Sequence, residues 1–270
     1  MDDKLIDLVV LMVHQAKLPQ YIFRYRSIFR YCPNGQIFDT QYFDSIIVNN
    51  ELWFSKGTEF NDPFDCNIEV DTNNTEDEIR NYISSRMPVG TSLDNINLLV
   101  ETASSDKDKF NQLVNDAVRK VLEKRGIVCF SKVNDNILLW SHYSDYHKGC
   151  VLKFDVLKNP EFFVFPLNVK YQADYPDYNH LVDSPDPVTP LIRTKSCDWK
   201  YEDEVRIVKN FTGPHTFKKE ALVEIIFGWR TPETEIVRIQ KLAADNGYNH
   251  IVFKQARLKK RQFGLEIFTI

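Results

Sequence analysis

Hydrophobic and polar residues alternate over many short stretches of this chain, and a period of two is typical of half-buried β-strands. Turn-forming residues such as Gly, Pro, Asn and Asp separate these stretches. The pattern therefore predicts a series of short strands. They cover residues 21–29, 52–55, 126–131, 148–155, 168–172, 202–209, 222–228, 250–258 and 265–270.

Helical periodicity occurs mainly in three other places. Five apolar residues between positions 5 and 13 share one face of an amphipathic helix. Residues 75–124 form the most polar part of the chain and predict a helical insertion, with Thr75 as its N-cap. Residues 231–247 predict a further helix that Thr231 caps.

This mixture predicts the α+β fold class, with a compact β-rich core of short mixed strands. Neither an internal repeat nor a linker divides the chain, so residues 1–270 are expected to form a single domain. The hydrophobic content of 43% is enough to bury a core. No run of about 18 apolar residues is present and the N-terminus lacks a signal-peptide pattern. We therefore expect a cytoplasmic protein without a membrane partner.

Charge and cysteine usage exclude some classes of function. A net charge of −4 at pH 7 argues against a protein that coats nucleic acid. The five cysteines are scattered and form no C-x-x-C pair, so neither a disulfide framework nor a cysteine zinc site is expected. Cys129 and Cys150 lie in apolar runs and are expected to be small core residues.

The first predicted strand carries two arginines. Arg24 and Arg26 are two residues apart, which places them on one face of the strand. Two guanidinium groups can clamp a phosphate through paired, charge-assisted hydrogen bonds. The alternative is a surface face, or a partner for internal acids.

Two further patches combine polar residues with aromatic ones. In the segment FNDPFD, Asp62 and Asp65 are candidates for metal ligands or for orienting an arginine, but turn chemistry also explains them. In the segment WSHY, Trp140, His142 and Tyr143 combine hydrogen-bonding groups with aromatic rings, as ligand pockets do. A packed histidine is the alternative there.

The segment EDEVRIV holds a pair of carboxylates. In an extended strand Glu202, Glu204 and Arg206 share one face, and Val205 and Ile207 lie on the other. A fixed carboxylate can act as a general base, ligate a metal or stabilise a developing positive charge. The alternative is a solvated strand face on which Glu204 pairs laterally with Arg206.

Three blocks in this order resemble the bacterial domain-of-unknown-function 2971 family. They are LWFSKGTEFNDPFD, VCFSKVNDNILLWSHYSDYHKGCVLKFD and WKYEDEVRIV, the last of which contains W-x-x-E-x-E-x-R. The resemblance covers about residues 21–209. It implies kinship and assigns no activity.

The chain also resembles, more loosely, ADP-ribosyltransferases of the arginine–serine–glutamate type. That resemblance implies a split-sheet fold and NAD as the substrate. It implies that Arg26, or Arg24, holds the phosphate or ribose of NAD. Ser55 would then stand at the end of the second strand, although the segment FSKGT lacks a serine–threonine–serine motif.

The same resemblance assigns roles to the acidic and aromatic blocks. Glu202 and Glu204 would form the E-x-E pair, with Glu204 as the catalytic carboxylate and Glu202 orienting or deprotonating the acceptor. Trp140, His142 or Tyr143 would cover the nicotinamide. The helical insertion is not part of that scheme.

Three hypotheses follow. The first is an NAD-consuming ADP-ribosyltransferase-like enzyme, acting on a protein or nucleic acid or hydrolysing NAD, in a toxin or phage-defence effector. The second is a metal-dependent nuclease or phosphoesterase with Asp62, Asp65, Glu202 and Glu204 as ligands for Mg²⁺ or Mn²⁺. The third is a non-catalytic nucleotide-binding sensor. The sequence leaves the acceptor and the oligomeric state open.

Overall fold

A computed structural model describes residues 3–31, 37–39, 41–67, 74–176, 179, 181–182 and 188–270. The chain, expected to form one domain over residues 1–270, divides into two compact units. The first unit comprises Met1–Ser55, Gly126–Val169 and Asp198–Ile270, and the second comprises Lys56–Arg125 and Lys170–Cys197. Helices and a large mixed sheet together confirm the predicted α+β class.

The described residues form fourteen strands, eight α-helices and four short 3-10 helices. The strands are β1 (Tyr21–Arg26), β2 (Arg30–Tyr31), β3 (Ile37–Asp39), β4 (Glu51–Phe54), β5 (Gly126–Ser131), β6 (Cys150–Asp155), β7 (Pro166–Asn168), β8 (Lys170–Gln172), β9 (Thr194–Ser196), β10 (Glu204–Lys209), β11 (Gly213–Thr216), β12 (Leu222–Phe227), β13 (Val252–Leu258) and β14 (Leu265–Thr269). The α-helices are α1 (Asp3–His14), α2 (Gln41–Val48), α3 (Glu76–Arg86), α4 (Leu93–Ser105), α5 (Lys107–Leu122), α6 (Ile137–Tyr143), α7 (Val188–Arg193) and α8 (Glu233–Asp245). Short 3-10 helices cover Gly57–Glu59, Val156–Lys158, Cys197–Glu202 and Lys219–Ala221.

An eight-stranded sheet forms the centre of the first unit, in the order β14-β13-β12-β6-β1-β5-β10-β7. Its neighbouring strands are antiparallel except β12 and β13, which are parallel and are joined through α8. A parallel pair needs such a crossover, whereas antiparallel strands can be joined by turns. The chain therefore returns repeatedly through the middle of the sheet, which brings β1, β5 and β10 side by side.

The two faces of this sheet carry different side chains because consecutive residues of a strand alternate between faces. On one face, here called the large-core face, Ile22, Phe130 and Val205 pack in a cluster that also contains residues of α1, α2 and α8. On the other, here called the α6 face, Phe23 and Tyr25 pack with Leu139 and Trp140 of α6. Both faces are thus covered by apolar side chains.

A tight turn follows α6 and fixes the position of the predicted WSHY block. Asp145, Tyr146 and His147 all have positive φ angles, of 49°, 50° and 68°. Such backbone costs about 1–3 kcal/mol per residue and persists only where packing enforces it. A Cβ atom added at Gly228 would overlap the His147 carbonyl group, and one added at Gly149 would overlap the main chain of β1. The turn therefore packs closely between the ends of β1 and β12.

The second unit contains helices α3, α4, α5 and α7 and the short parallel pair β8–β9. Thr75 caps α3 as predicted, in a capping box in which the Thr75 side chain accepts from Glu78 and the Glu78 carboxylate accepts from Thr75. In the FNDPFD segment the Asp62 carboxylate accepts from the main-chain N–H of Phe64, and Asp65 forms a buried ion pair with Lys195 at 3.4 Å.

Three sequence predictions differ from the fold in detail. The strand expected from Glu202 begins at Glu204, because Glu202 ends a 3-10 helix and Asp203 has a φ of 42°. The strand predicted for residues 168–172 is divided between β7 and β8. Thr231 does not cap α8, because its hydroxyl donates to the carbonyl of Gly149 and Pro232 takes the cap position. In the part of the chain that the structure describes, no helix is both long and apolar enough to cross a membrane.

Candidate functional site

Glu204 and Arg206 form an ion pair on β10. The two oxygens of Glu204 accept hydrogen bonds from Nε and Nη2 of Arg206, each at 2.9 Å. The side chains are 5% and 0% exposed, respectively. A bidentate pair with this geometry offsets much of the cost of removing both charges from water. The lateral pair proposed from the sequence is therefore present, but it is buried and not on a solvated face.

The strand register places this pair on the α6 face. Residues that face each other on neighbouring strands share a face. Glu204 faces Ser131 of β5, and Ser131 faces Phe23 of β1. Phe23 belongs to the α6 face, so Glu204 does too, and Arg206 follows two residues later.

Cys129 of β5 faces Arg206 and connects the ion pair to the next strand. Its partly buried thiol lies close enough to Glu204 to be affected by the charge of that carboxylate. Burial, and then the negative charge of Glu204, raise the pKa of this thiol well above its usual range. The thiol therefore keeps its proton at neutral pH.

Arg24 reaches the same cysteine from β1. Its Nη1 donates a hydrogen bond to the main-chain carbonyl of Cys129. Burial, and then the like charge of Arg26, lower the pKa of Arg24 to about 10, so it remains a cation at neutral pH. A continuous series of contacts therefore runs from Arg24 through Cys129 and Glu204 to Arg206.

Arg26 lies two residues beyond Arg24 on β1, and its guanidinium sits over the ring of Tyr42 in α2, 4.4 Å from the centroid. Its Nε is buried and has no hydrogen-bond partner within the described ranges. No carboxylate forms an ion pair with Arg24 or Arg26 in the same part of the chain. By strand alternation both arginines belong to the large-core face, whereas Glu204 belongs to the α6 face.

Glu202 is buried next to an aromatic residue of α6. The hydroxyl of Tyr143 donates to Oε1 of Glu202 at 2.6 Å. The main-chain carbonyl of Glu202 accepts from the Ser131 hydroxyl, also at 2.6 Å. These two bonds fix Glu202 between α6 and β5, although it lies outside the predicted strand.

Aromatic rings form a row beside Glu202, here called the aromatic rim. His142 lies 6.3 Å from Tyr201, and Tyr201 lies 6.0 Å from Trp199, measured between ring centroids. His142 is exposed and the other two rings are partly exposed. Aromatic faces beside carboxylates favour a planar, positively charged group.

Two predicted site residues lie elsewhere. Trp140 is completely buried, its indole N–H donates to the carbonyl of Asn134, and its ring packs edge-on against Tyr25. Ser55 pairs through its main chain with Ile127, near the start of β5. Ser131, which faces Glu204, is four residues further along that strand, or about 13 Å. The structure thus brings Tyr143, His142, Glu202 and Glu204 together near the end of β5. Arg24 reaches Cys129 from the large-core face. Arg26, Ser55 and the buried Trp140 lie apart from this group.

The four carboxylates proposed as metal ligands belong to two different units. Asp62 and Asp65 belong to the second unit, and Glu202 and Glu204 belong to the first. Among the residues with described coordinates, no group of three or more His, Cys, Asp or Glu side chains is arranged to hold a metal ion.

Cys129 and Tyr201 are the site residues that the sequence did not indicate. Cys129 was expected to be a small core residue, and its contact with Glu204 depends on the register between β5 and β10. Tyr201 lies in the segment WKYE, and its spacing of two from Trp199 was a usable signal for neighbouring aromatic rings.

Comparison with known proteins identifies no relative of this chain. No family model, no curated protein and no solved structure matches the chain.

Proposed function

We propose that this protein is an NAD-consuming, ADP-ribosyltransferase-like enzyme. Its site is built around Glu204, the first residue of β10, which faces the last residue of β5. The observation that carries the proposal is the series of contacts from Arg24 through Cys129 to Glu204. It links the arginine strand to the glutamate strand, and these two strands supply the groups that NAD cleavage requires.

The arginines suit the diphosphate of NAD. Arg24 remains cationic despite its burial, and Arg26 carries a buried Nε with no partner among the described residues. Guanidinium groups bind phosphate oxygens through charge-assisted hydrogen bonds. Neither side chain forms an ion pair with a described carboxylate, and a diphosphate would supply that direct negative partner.

The carboxylates and the aromatic rim suit the other end of the substrate. The nicotinamide ring of NAD is planar and positively charged, which favours contact with aromatic faces such as those of His142 and Tyr201. Positive charge develops on the ribose as the bond to nicotinamide breaks, and a fixed carboxylate stabilises that charge. Arg206 fixes the orientation of Glu204, and Tyr143 fixes that of Glu202.

Release of nicotinamide tests the proposal. Purified protein is incubated with NAD, alone and with cell lysate, and nicotinamide and labelled macromolecules are measured by chromatography and mass spectrometry. We expect release by the wild type and a loss of at least about a hundredfold in Glu204→Gln, the order of a lost electrostatic contact to a transition state.

Glu224→Gln is the matched control, because Glu224 is also a strand carboxylate held by a cation, Lys153, at 2.8 Å. It should retain the wild-type rate. Absence of both nicotinamide release and labelling overturns the proposed activity. Equal rates for the wild type and Glu204→Gln overturn the role of Glu204.

Nucleotide binding without catalysis is a second candidate. The observation that favours it is that both oxygens of Glu204 are already bonded to Arg206, as in a structural ion pair. In that case NAD or another nucleotide raises the melting temperature, because it binds only the folded state, while no nicotinamide is released. Measuring both quantities on one sample separates the two functions.

A further inference from the structure

A cavity of about 310 Å³ lies in the second unit, against one side of α5. Its size falls at the lower end of the range for small-molecule sites. The base of the cavity is apolar and buried, formed by Val118, Leu122 and Leu191. Polar side chains from α5, together with Thr58 and Asn67 on either side of the FNDPFD segment, surround this base.

Two opposite charges, both on exposed side chains of α5, line the cavity. Asp116 and Arg119 are three residues apart, a spacing that places their Cβ atoms about 5–6 Å apart on the same side of a helix. Such a pair commonly forms an ion pair. No ion pair within 4 Å joins either residue to a partner in the described part of the chain. Gln112, one turn earlier on the same side, likewise makes no side-chain hydrogen bond there.

The opposite wall is held in place by its own bonds. The amide nitrogen of Asn67 donates to the carbonyl of Pro63, which fixes the Asn67 side chain and leaves its amide oxygen as an acceptor. The neighbouring Cys66 thiol is buried and bonded to Asp65, which in turn pairs with Lys195. A wall with few freely rotating groups loses little entropy when a ligand binds.

The charges restrict the chemistry of the ligand. A phosphate would be attracted by Arg119 but repelled by Asp116, and a simple cation would meet the reverse. A zwitterion satisfies both, because its carboxylate pairs with Arg119 and its ammonium group pairs with Asp116. The buried apolar base adds a preference for an aliphatic side chain.

We propose that this cavity binds a free α-amino acid with an aliphatic side chain, of which leucine is the representative. The carboxylate of the ligand contacts Arg119, its ammonium group contacts Asp116, and its side chain covers Val118, Leu122 and Leu191. All of these residues belong to the second unit, whereas the site around Glu204 belongs to the first. The two proposals can therefore succeed or fail separately.

Binding is tested on the full chain with L-leucine, by calorimetric titration and by saturation-transfer NMR. Leucine methyl ester lacks the negative charge and N-acetyl-leucine lacks the positive one. We expect each derivative to bind about tenfold more weakly than leucine, the scale of one charge-assisted hydrogen bond.

The variants assign each charge to one side chain. Arg119→Gln should weaken the binding of leucine about tenfold and leave that of leucine methyl ester unchanged, because the lost contact is already missing there. Asp116→Asn should behave in the same way towards N-acetyl-leucine. Lys120→Gln and Asp108→Asn, which remove charges of the same helix outside the cavity lining, should leave leucine binding unchanged.

Absence of leucine binding to the wild type overturns the proposal. So does binding that is equal for leucine and both derivatives, since the charges then contribute nothing. A preference for nucleotides over leucine that depends on Arg119 also overturns it, in favour of an anion site. Melting curves of each variant confirm that a loss of binding does not arise from unfolding.

Discussion

Arg206 and Glu204 lie two residues apart on the same strand, and both of their planar groups are used in one buried contact. Nε of Arg206 bonds to one oxygen of Glu204, and Nη2 bonds to the other, both at 2.9 Å. Both charges are removed from water by the sheet and by the residues that cover the α6 face. Each residue therefore depends on the opposite charge of the other to offset the cost of leaving water.

This dependence predicts that replacing one residue of the pair destabilises the protein more than replacing both. Arg206→Met leaves the Glu204 carboxylate buried without its main partner and should lower the free energy of unfolding by about 3–5 kcal/mol. Glu204→Leu combined with Arg206→Met removes both charges and should recover more than half of that loss. Urea unfolding of the two single variants and the double variant measures the coupling. Additive losses in the double variant would contradict this account.

The strands of the central sheet could be predicted because their side chains alternate. β1, β5, β6, β10 and β12 all fall in segments with a period of two, which reflects burial on two distinct faces. The fold class followed from the same pattern. Local propensity was also sufficient for the Thr75 cap, since the threonine and the acid three residues later lie close together in the chain.

The site could be predicted only in part, because its contacts depend on long-range register. Glu202 fits the alternation of EDEVRIV, yet the positive φ angle of Asp203 ends that alternation before β10. Thr231 has the features of a helix cap, but the nearby carbonyl of Gly149 competes for its hydroxyl. The proximity of Cys129 and Glu204 requires β5 and β10 to pair in one register, which no local pattern specifies.

The hydrogen bond between Tyr143 and Glu202 predicts a specific effect of removing one hydroxyl group. Tyr143→Phe keeps the ring and leaves a buried carboxylate oxygen without this donor, so stability should fall by about 1–3 kcal/mol. Under the proposed function, nicotinamide release should fall as well. Tyr146→Phe is the control, because Tyr146 belongs to the same segment and is 67% exposed. Equal stability of the two variants would show that the bond contributes nothing.

The environment of Cys129 predicts low reactivity of its thiol. Its pKa is raised by burial and by the charge of Glu204, and only the thiolate form attacks alkylating reagents. Iodoacetamide at pH 8 should therefore modify Cys129 far more slowly than the exposed Cys197, as followed by peptide mass spectrometry. Glu204→Gln removes a negative charge and should accelerate the reaction at Cys129 but not at Cys197. An unchanged rate would exclude Glu204 as a cause of the raised pKa.

The imidazole of His147 predicts a dependence of stability on pH. Its ring stacks on Trp140, and its Nδ1 is buried without a hydrogen-bond partner among the described residues. Burial, and then the positive charge of Arg230, lower its pKa in the folded protein below the ordinary value of about 6.5. The unfolded chain therefore binds more protons at this residue once the pH falls below about 6.5. Neutral His147 therefore contributes to the free energy of unfolding above that pH. This contribution is lost as the pH falls towards the folded-state pKa.

His147→Gln removes this proton linkage, so the free energy of unfolding should fall less between pH 7.5 and pH 5.5 than in the wild type. His14→Gln, which removes an exposed histidine of α1, should follow the wild type. Urea unfolding at several pH values in this interval measures the three slopes. Equal slopes for the wild type and His147→Gln would mean that the buried imidazole takes up its proton as readily in the folded protein as in the unfolded chain.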